Sequence, residues 1–199
     1  MITRVDSAAK IASLDAVQME NDWLSIGILP DVGAKIYDLI WKPTGRNFLW
    51  HNPRIAPQTY PIEGNFDNYW CGGWDDGFPT ADPCEFQGES YPNLGELRSL
   101  RWDVEAAERR PGCGVVHLSA YGPISPVRAE KTISLADGSP VLCVDYQITN
   151  IGTMPLDFIW GTHPALAANQ NTILRIPART GIVRLSSDAP FGVPAKRND

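Results

Sequence analysis

His163 follows the apolar run Phe158-Ile-Trp-Gly-Thr162 and precedes Pro164, so it ends a strand where the chain turns into a loop. Partial desolvation at such a place leaves an imidazole able to give or take a proton near neutral pH. The same position suits a structural histidine that caps a loop, and the residues alone leave both readings open. His51, which opens a loop after Trp50, and His117, on the polar phase of Val115-Val-His-Leu118, are weaker candidates.

The second group of candidates is a composition rather than a single residue. Between Arg54 and Arg98 the chain carries eight acidic and eight aromatic residues and no lysine or arginine. Indole and phenol faces stack on sugar C–H faces, and carboxylates accept hydroxyl hydrogen bonds, so this mixture suits a neutral, polyhydroxylated ligand. Trp74 and Asp75 lie in the glycine-framed stretch Gly73-Trp-Asp-Asp-Gly77, which reads as a loop whose acids either contact ligand or are simply solvated. Glu96 and Arg98 are spaced to share one face of a strand that leads to Trp102; they orient a sugar hydroxyl or form a surface pair. Glycoside hydrolysis by loop carboxylates is an alternative, but it needs two carboxylates at a controlled separation, and adjacent Asp75 and Asp76 point in different directions.

Net charge is −6, and the aromatic-acidic segment contributes −8, so the remainder is only slightly positive. A bulk basic surface for phosphate backbones is absent, which argues against nucleic acid as a partner. An apolar content of 43% against 20% charged residues indicates a folded domain. Cys71, Cys84, Cys113 and Cys143 are scattered without a C-x-x-C pair, and three dispersed histidines complete no zinc set, so no metal is expected. The cysteines read as free thiols in a reducing compartment; a Cys71–Cys84 disulfide across the acidic segment is possible but has no support. The N-terminus lacks an apolar signal core and no stretch approaches membrane-spanning length, so the expectation is a cytoplasmic protein with no membrane partner.

The elements that must position these residues read as strands. After a polar lead-in, Trp23–Leu29 is short and β-rich, and ends at the turn Pro30-Asp-Val-Gly33. Ala34–Trp41 and Asn47–Trp50 follow as strands, then a long excursion over residues 55–97, whose length suggests a functional loop. Leu100–Ala107, Gly114–Tyr121 and Arg128–Leu135 alternate at a period of two, Ala136-Asp-Gly-Ser-Pro140 signals a hairpin answered by Val141–Thr149, and Leu156–Thr162 is the next strand. No window of twelve residues carries a helical stripe. The expected fold is an all-β, antiparallel β-sandwich in a single domain over residues 1–199. Thr172–Leu185 holds two short strand candidates, and Ser186–Asp199 offers no closing strand, so the sandwich reads as incomplete at its C-terminus. An open sheet edge there predicts self-association.

Four stretches, in order, resemble the galactose mutarotase family, the aldose 1-epimerases and their relatives. They are Ile28-Leu-Pro-Asp-Val-Gly-Ala-Lys-Ile36, Gly73-Trp-Asp-Asp-Gly-Phe-Pro-Thr80, Gly95-Glu-Leu-Arg-Ser-Leu-Arg-Trp102 and Trp160-Gly-Thr-His-Pro-Ala165. The resemblance implies a β-supersandwich with a shallow sugar site that interconverts α and β anomers of an aldose without a cofactor. In that chemistry a histidine protonates the ring oxygen while a glutamate takes the anomeric hydroxyl proton; His163 matches the acid, and Arg54 the substrate arginine. Two departures stand out. Leu94 occupies the place where the family commonly carries a second histidine, and no glutamate follows Glu130, so the family's late general base has no counterpart. Family members also run longer. The chain is therefore expected to be an N-terminal portion whose catalysis is impaired, with a non-catalytic sugar-binding module as the alternative.

Overall fold

Alternating apolar and polar residues build two antiparallel sheets in this chain, seen in a computed structural model that describes residues 2–175 and residue 177. The strands β1 (Arg4–Ile11), β2 (Leu14–Glu20), β3 (Leu24–Leu29), β4 (Lys35–Trp41) and the two-residue β5 (Arg46–Asn47) come first. A one-turn helix, α1 (Phe66–Tyr69), precedes β6 (Trp74–Gly77), the small hairpin of β7 (Cys84–Phe86) and β8 (Glu89–Tyr91), and a 3₁₀ turn at Leu97–Ser99. A meander of β9 (Asp103–Arg110), β10 (Cys113–Tyr121), β11 (Val127–Ala136) and β12 (Leu142–Asn150) follows, and then β13 (Gly161–Pro164).

One sheet runs β1-β2-β3-β4-β6-β13 with β5 on β4; the other runs β12-β11-β10-β9. Met19, Ile26, Ile28 and Ile36 from the first sheet pack with Val116, Leu118, Ile133 and Leu135 from the second in one apolar core. The fold is thus the expected antiparallel β-sandwich. A second, smaller core lies on the other face of the first sheet, where Leu29 and Tyr37 meet Tyr60 and Cys71 of the excursion. That is why every residue of β3 is buried, although only alternate ones face the sandwich interior. A register shift at Gly27/Ile28 opposite β4 then turns Leu39 and Trp41 inward, continuing the row begun by Ile36.

Several expected elements differ in detail. The polar lead-in is the β1–β2 hairpin; β1 lies at a sheet edge with most of its residues exposed or half-buried, so its alternation is weak in sequence. Of the strand expected at Asn47–Trp50, only Arg46–Asn47 pairs with β4, and β9 begins at Asp103 rather than Leu100. Residues 156–160 form no ladder, because the chain is tied there by a single bond from the Ile159 N–H to the Pro79 carbonyl, and pairing starts at Gly161. The first compact unit ends at Ala168. In the second, the described residues include a turn in which the Thr172 N–H donates to the Asn169 carbonyl. The strand candidates of Thr172–Leu185 lie mostly, and the tail from Ser186 wholly, outside the described residues. No helix among the described residues is long and apolar enough to cross a membrane.

The largest difference concerns the excursion. It is not one loop, since β6 lies inside it and inserts between β4 and β13. Asp75 and Asp76, expected at a loop tip, are both 2% exposed. As neighbours on a strand they face opposite sides. Asp76 faces the sandwich interior, where Lys131 of β11 approaches to 2.8 Å and the Tyr146 hydroxyl donates at 2.9 Å. Lys131 also donates to the Ala34 carbonyl at 3.0 Å. Asp75 faces the smaller core, 2.7 Å from Lys35 of β4, which donates to the Gly72 carbonyl as well. Burial alone would pull the Lys35 ammonium down, but Asp75, with Cys71 and Tyr60, outweighs it and holds the pKa above its ordinary value.

Breaking one partner of such a pair strands a buried charge. Asp76→Ala or Lys131→Ala is therefore expected to cost about 3–5 kcal/mol in urea unfolding, whereas the double replacement Asp76→Leu/Lys131→Met should leave stability near or above that of the parent.

Candidate functional site

The site is built on the outer face of β6 and β13. Their register sets His163 opposite Asp75 and Gly161 opposite Gly77, and cross-strand partners share a face. The two glycines leave a floor without side chains next to the histidine. A Cβ on Gly161 would meet nothing within 4 Å, and one on Gly77 would first touch Leu94 Cδ2, at 3.6 Å. The result is a shallow cavity of about 170 Å³ with His163 and Thr162 at one side. Thr80, Ala81 and Leu94 form the facing wall, and Ile159 contributes from the segment before β13.

Aromatic rings fix the histidine from behind. The Phe66 ring meets His163 edge-on at 6.0 Å, and the Trp70 ring lies 5.6 Å away. Trp70 is itself oriented by its indole N–H, which donates to Asp75 Oδ2 at 3.2 Å. A chain of contacts therefore runs from Lys35 through Asp75 and Trp70 to His163. The Nδ1 atom of His163 is buried without a hydrogen-bond partner among the described residues, which leaves Nε2 as the nitrogen able to reach the cavity. Of the two tautomers the one with the proton on Nε2 fits, because a proton on Nδ1 would be a buried donor with no acceptor among the described residues.

The other residues singled out from the sequence take different places. Asp75 does not line the cavity; it acts on it through Trp70. Trp74 faces the opposite way, packing against the main core. Glu96 is wholly buried and accepts the backbone N–H groups of Ile124 (2.7 Å) and Ser125 (3.1 Å), which ties the end of the excursion to the β10–β11 turn. Burial pushes its carboxyl up, and these hydrogen bonds only partly offset that. Arg98 is 1% exposed rather than a surface partner. Its guanidinium lies between the Tyr60 and Phe66 rings, at 5.3 and 5.2 Å, and donates to the Asn93 and Gly64 carbonyls. Arg98 thus joins the two limbs of the excursion and supports Phe66, which in turn supports His163. Arg54 is exposed and does not line the cavity.

Of the expected site residues, the structure brings only His163 to the cavity. Gly77, Thr80, Gly161 and Ile159 were not legible as site residues, since a bare strand face is visible only once the register is known. Cys71 is a buried free thiol and Cys84 an exposed one, and no disulfide joins them. Burial raises the Cys71 pKa despite the nearby Lys35, so this thiol is a poor nucleophile.

A family model described as "Domain of unknown function (DUF5107)" matches residues 5–86. Among solved structures, the chain is similar to a galactose mutarotase-like protein from Lactobacillus casei ATCC 334, at 18% identity and a TM-score of 0.51. That match covers 75% of this chain and 49% of that one. HI1317 matches at 13% identity and a TM-score of 0.48 over 77% of this chain and 53% of that one. A TPR-domain containing protein from Parabacteroides distasonis ATCC 8503 matches at 19% and 0.47, over 70% of this chain and 21% of that one. The chain thus spans about half or less of the length of these proteins, and the Lactobacillus casei match supports a galactose mutarotase-like fold.

The position of Glu96 gives a pH test. A raised folded-state pKa means that its contribution to stability is present in full below the ordinary glutamate value of about 4.3 and is lost as pH rises through the elevated value. Glu96→Gln keeps an acceptor oxygen, and urea midpoints measured from pH 4 to 8 (roughly the range in which a buried glutamate titrates) should fall less with rising pH than those of the parent chain.

Proposed function

We propose that this chain binds a neutral aldose in the His163 cavity and interconverts its α and β anomers slowly. The observation that carries the reading is His163 beside the bare Gly77–Gly161 floor, a shallow and largely apolar hollow on a sheet face. Nε2–H of His163 is the group that would hydrogen-bond the ring oxygen and favour opening of the hemiacetal; removal of the anomeric proton falls to water. Catalysis is weak because a proton on Nδ1 would be a buried donor with no acceptor among the described residues. The mutarotase-like fold supports the reaction class, and the lack of lysine or arginine among the described residues around the cavity supports a neutral sugar.

A sugar-binding module without catalysis is the second reading, favoured by Leu94 in the wall facing His163. Hydrolysis by loop carboxylates gains no support, because Asp75 is held by Lys35 and Trp70, and Glu96 by backbone N–H groups.

Polarimetry of freshly dissolved α-galactose and α-glucose tests the proposal. The expected acceleration over buffer is below the roughly 10²–10⁴-fold that one positioned acid–base group supplies, and it disappears in His163→Ala. Gly161→Val, placed in open space on a strand, should fold normally and abolish it too. Sugar binding without acceleration would select the second reading, and neither binding nor acceleration would reject both.

A further inference from the structure

Leu94 is an unusual residue for its backbone. Its φ is +58°, in the left-handed region that glycine, asparagine, aspartate and histidine enter more readily than leucine. The side chain is half-buried and hangs over Gly77 into the cavity beside His163. What the Leu94 side chain touches from this backbone position is the cavity.

Leu94, Ala81 and Ile159 together give the cavity a hydrocarbon wall. Ala81 and Ile159, with Thr80, also line a neighbouring hollow of about 390 Å³, which extends the wall toward Pro79, Phe86 and Phe158. Among the described residues no lysine or arginine lines either space, and Asp82 and Asp157 border the larger one. A phosphate or carboxylate on the ligand would therefore meet no cation and two acids. A hydroxymethyl group set against Leu94 and Ile159 meets no hydrogen-bond partner on those two side chains, whereas a methyl group there needs none and buries apolar surface; Thr80, whose hydroxyl is buried, is the polar residue of the same wall.

We infer that the site selects a neutral 6-deoxyhexose, whose methyl group lies against the Leu94–Ala81–Ile159 wall while the ring oxygen faces His163, and that Leu94 is the residue that determines this preference. The inference rests on the sugar-binding reading above and narrows it to a substrate class.

Matched pairs test it by NMR titration of the full chain: D-fucose with D-galactose, L-fucose with L-galactose, 6-deoxy-D-glucose with D-glucose, and L-rhamnose with L-mannose. In the pair that binds most tightly, the deoxy sugar is expected to bind at least about 10-fold better than its hydroxymethyl partner. Leu94→Asn, which suits the left-handed backbone and puts an amide on the wall, should bring the two toward parity. If its thermal melt shows that it has not folded, Leu94→Gly removes the wall by another route. The inference is overturned if the hydroxymethyl sugar binds as well or better in every pair, or if the preference persists unchanged in the folded Leu94 variant. Failure of all eight sugars to bind would instead overturn the sugar reading itself, and the inference with it.

Discussion

The rest of the structure depends on how β6 is held. It meets β4 through a single register pair, Ile36 with Trp74, too little ladder to fix a strand in the middle of a sheet. Two buried ion pairs compensate, one on each face: Asp76 with Lys131 across the sandwich, and Asp75 with Lys35 beneath the excursion. Such pairs add little over apolar packing when intact, but are costly to separate. They therefore penalise any register of β6 that moves either aspartate from its lysine. Because β13 pairs with β6 over four residues, the position of His163 is inherited from the same two contacts.

This arrangement explains the odd composition of the segment between Arg54 and Arg98. Its aromatic groups and three of its eight acids are internal fittings rather than a ligand surface, while the other five acids are exposed. Asp76 and Asp75 neutralise lysines from other strands, Glu96 caps the β10–β11 turn, and Tyr60 and Phe66 enclose Arg98. The segment lacks lysine and arginine because its cations come from elsewhere in the chain. What remains for a ligand is small: a histidine, two threonines, a floor of glycine and a wall of hydrocarbon. Such a site is suited to a ligand with few charges and a well-defined apolar face.

Much of the fold was legible in the sequence because burial on one face leaves alternation behind. Val127, Ala129, Lys131, Ile133 and Leu135 are the clearest case, with every member of the row buried. Lys131 in that row was also a signal: a lysine on an apolar face implies a carboxylate opposite. The same holds for Lys35 in Ala34-Lys-Ile-Tyr37. Strand β1 was not legible because its edge position leaves it largely polar. β6 was not legible either, because its buried residues are a glycine and two aspartates whose partners lie 40 and 55 positions away. His163 was found from its place at a strand end, whereas the glycines that make room beside it become meaningful only when β13 is laid against β6.

The outer face of β6 and β13 at His163 is the proposed place for a sugar. The chain has three histidines, and His51 and His117 do not line the cavity, so they serve as internal references. The most direct measurement follows the ring ¹⁵N and ¹H signals of all three by long-range correlation NMR while D-galactose and L-fucose are added. A saturable shift at His163 Nε2 is expected with at least one of these sugars, with unchanged rings at His51 and His117. Saturable binding with no response at His163, or no response of any ring at high sugar concentration, would contradict the proposal.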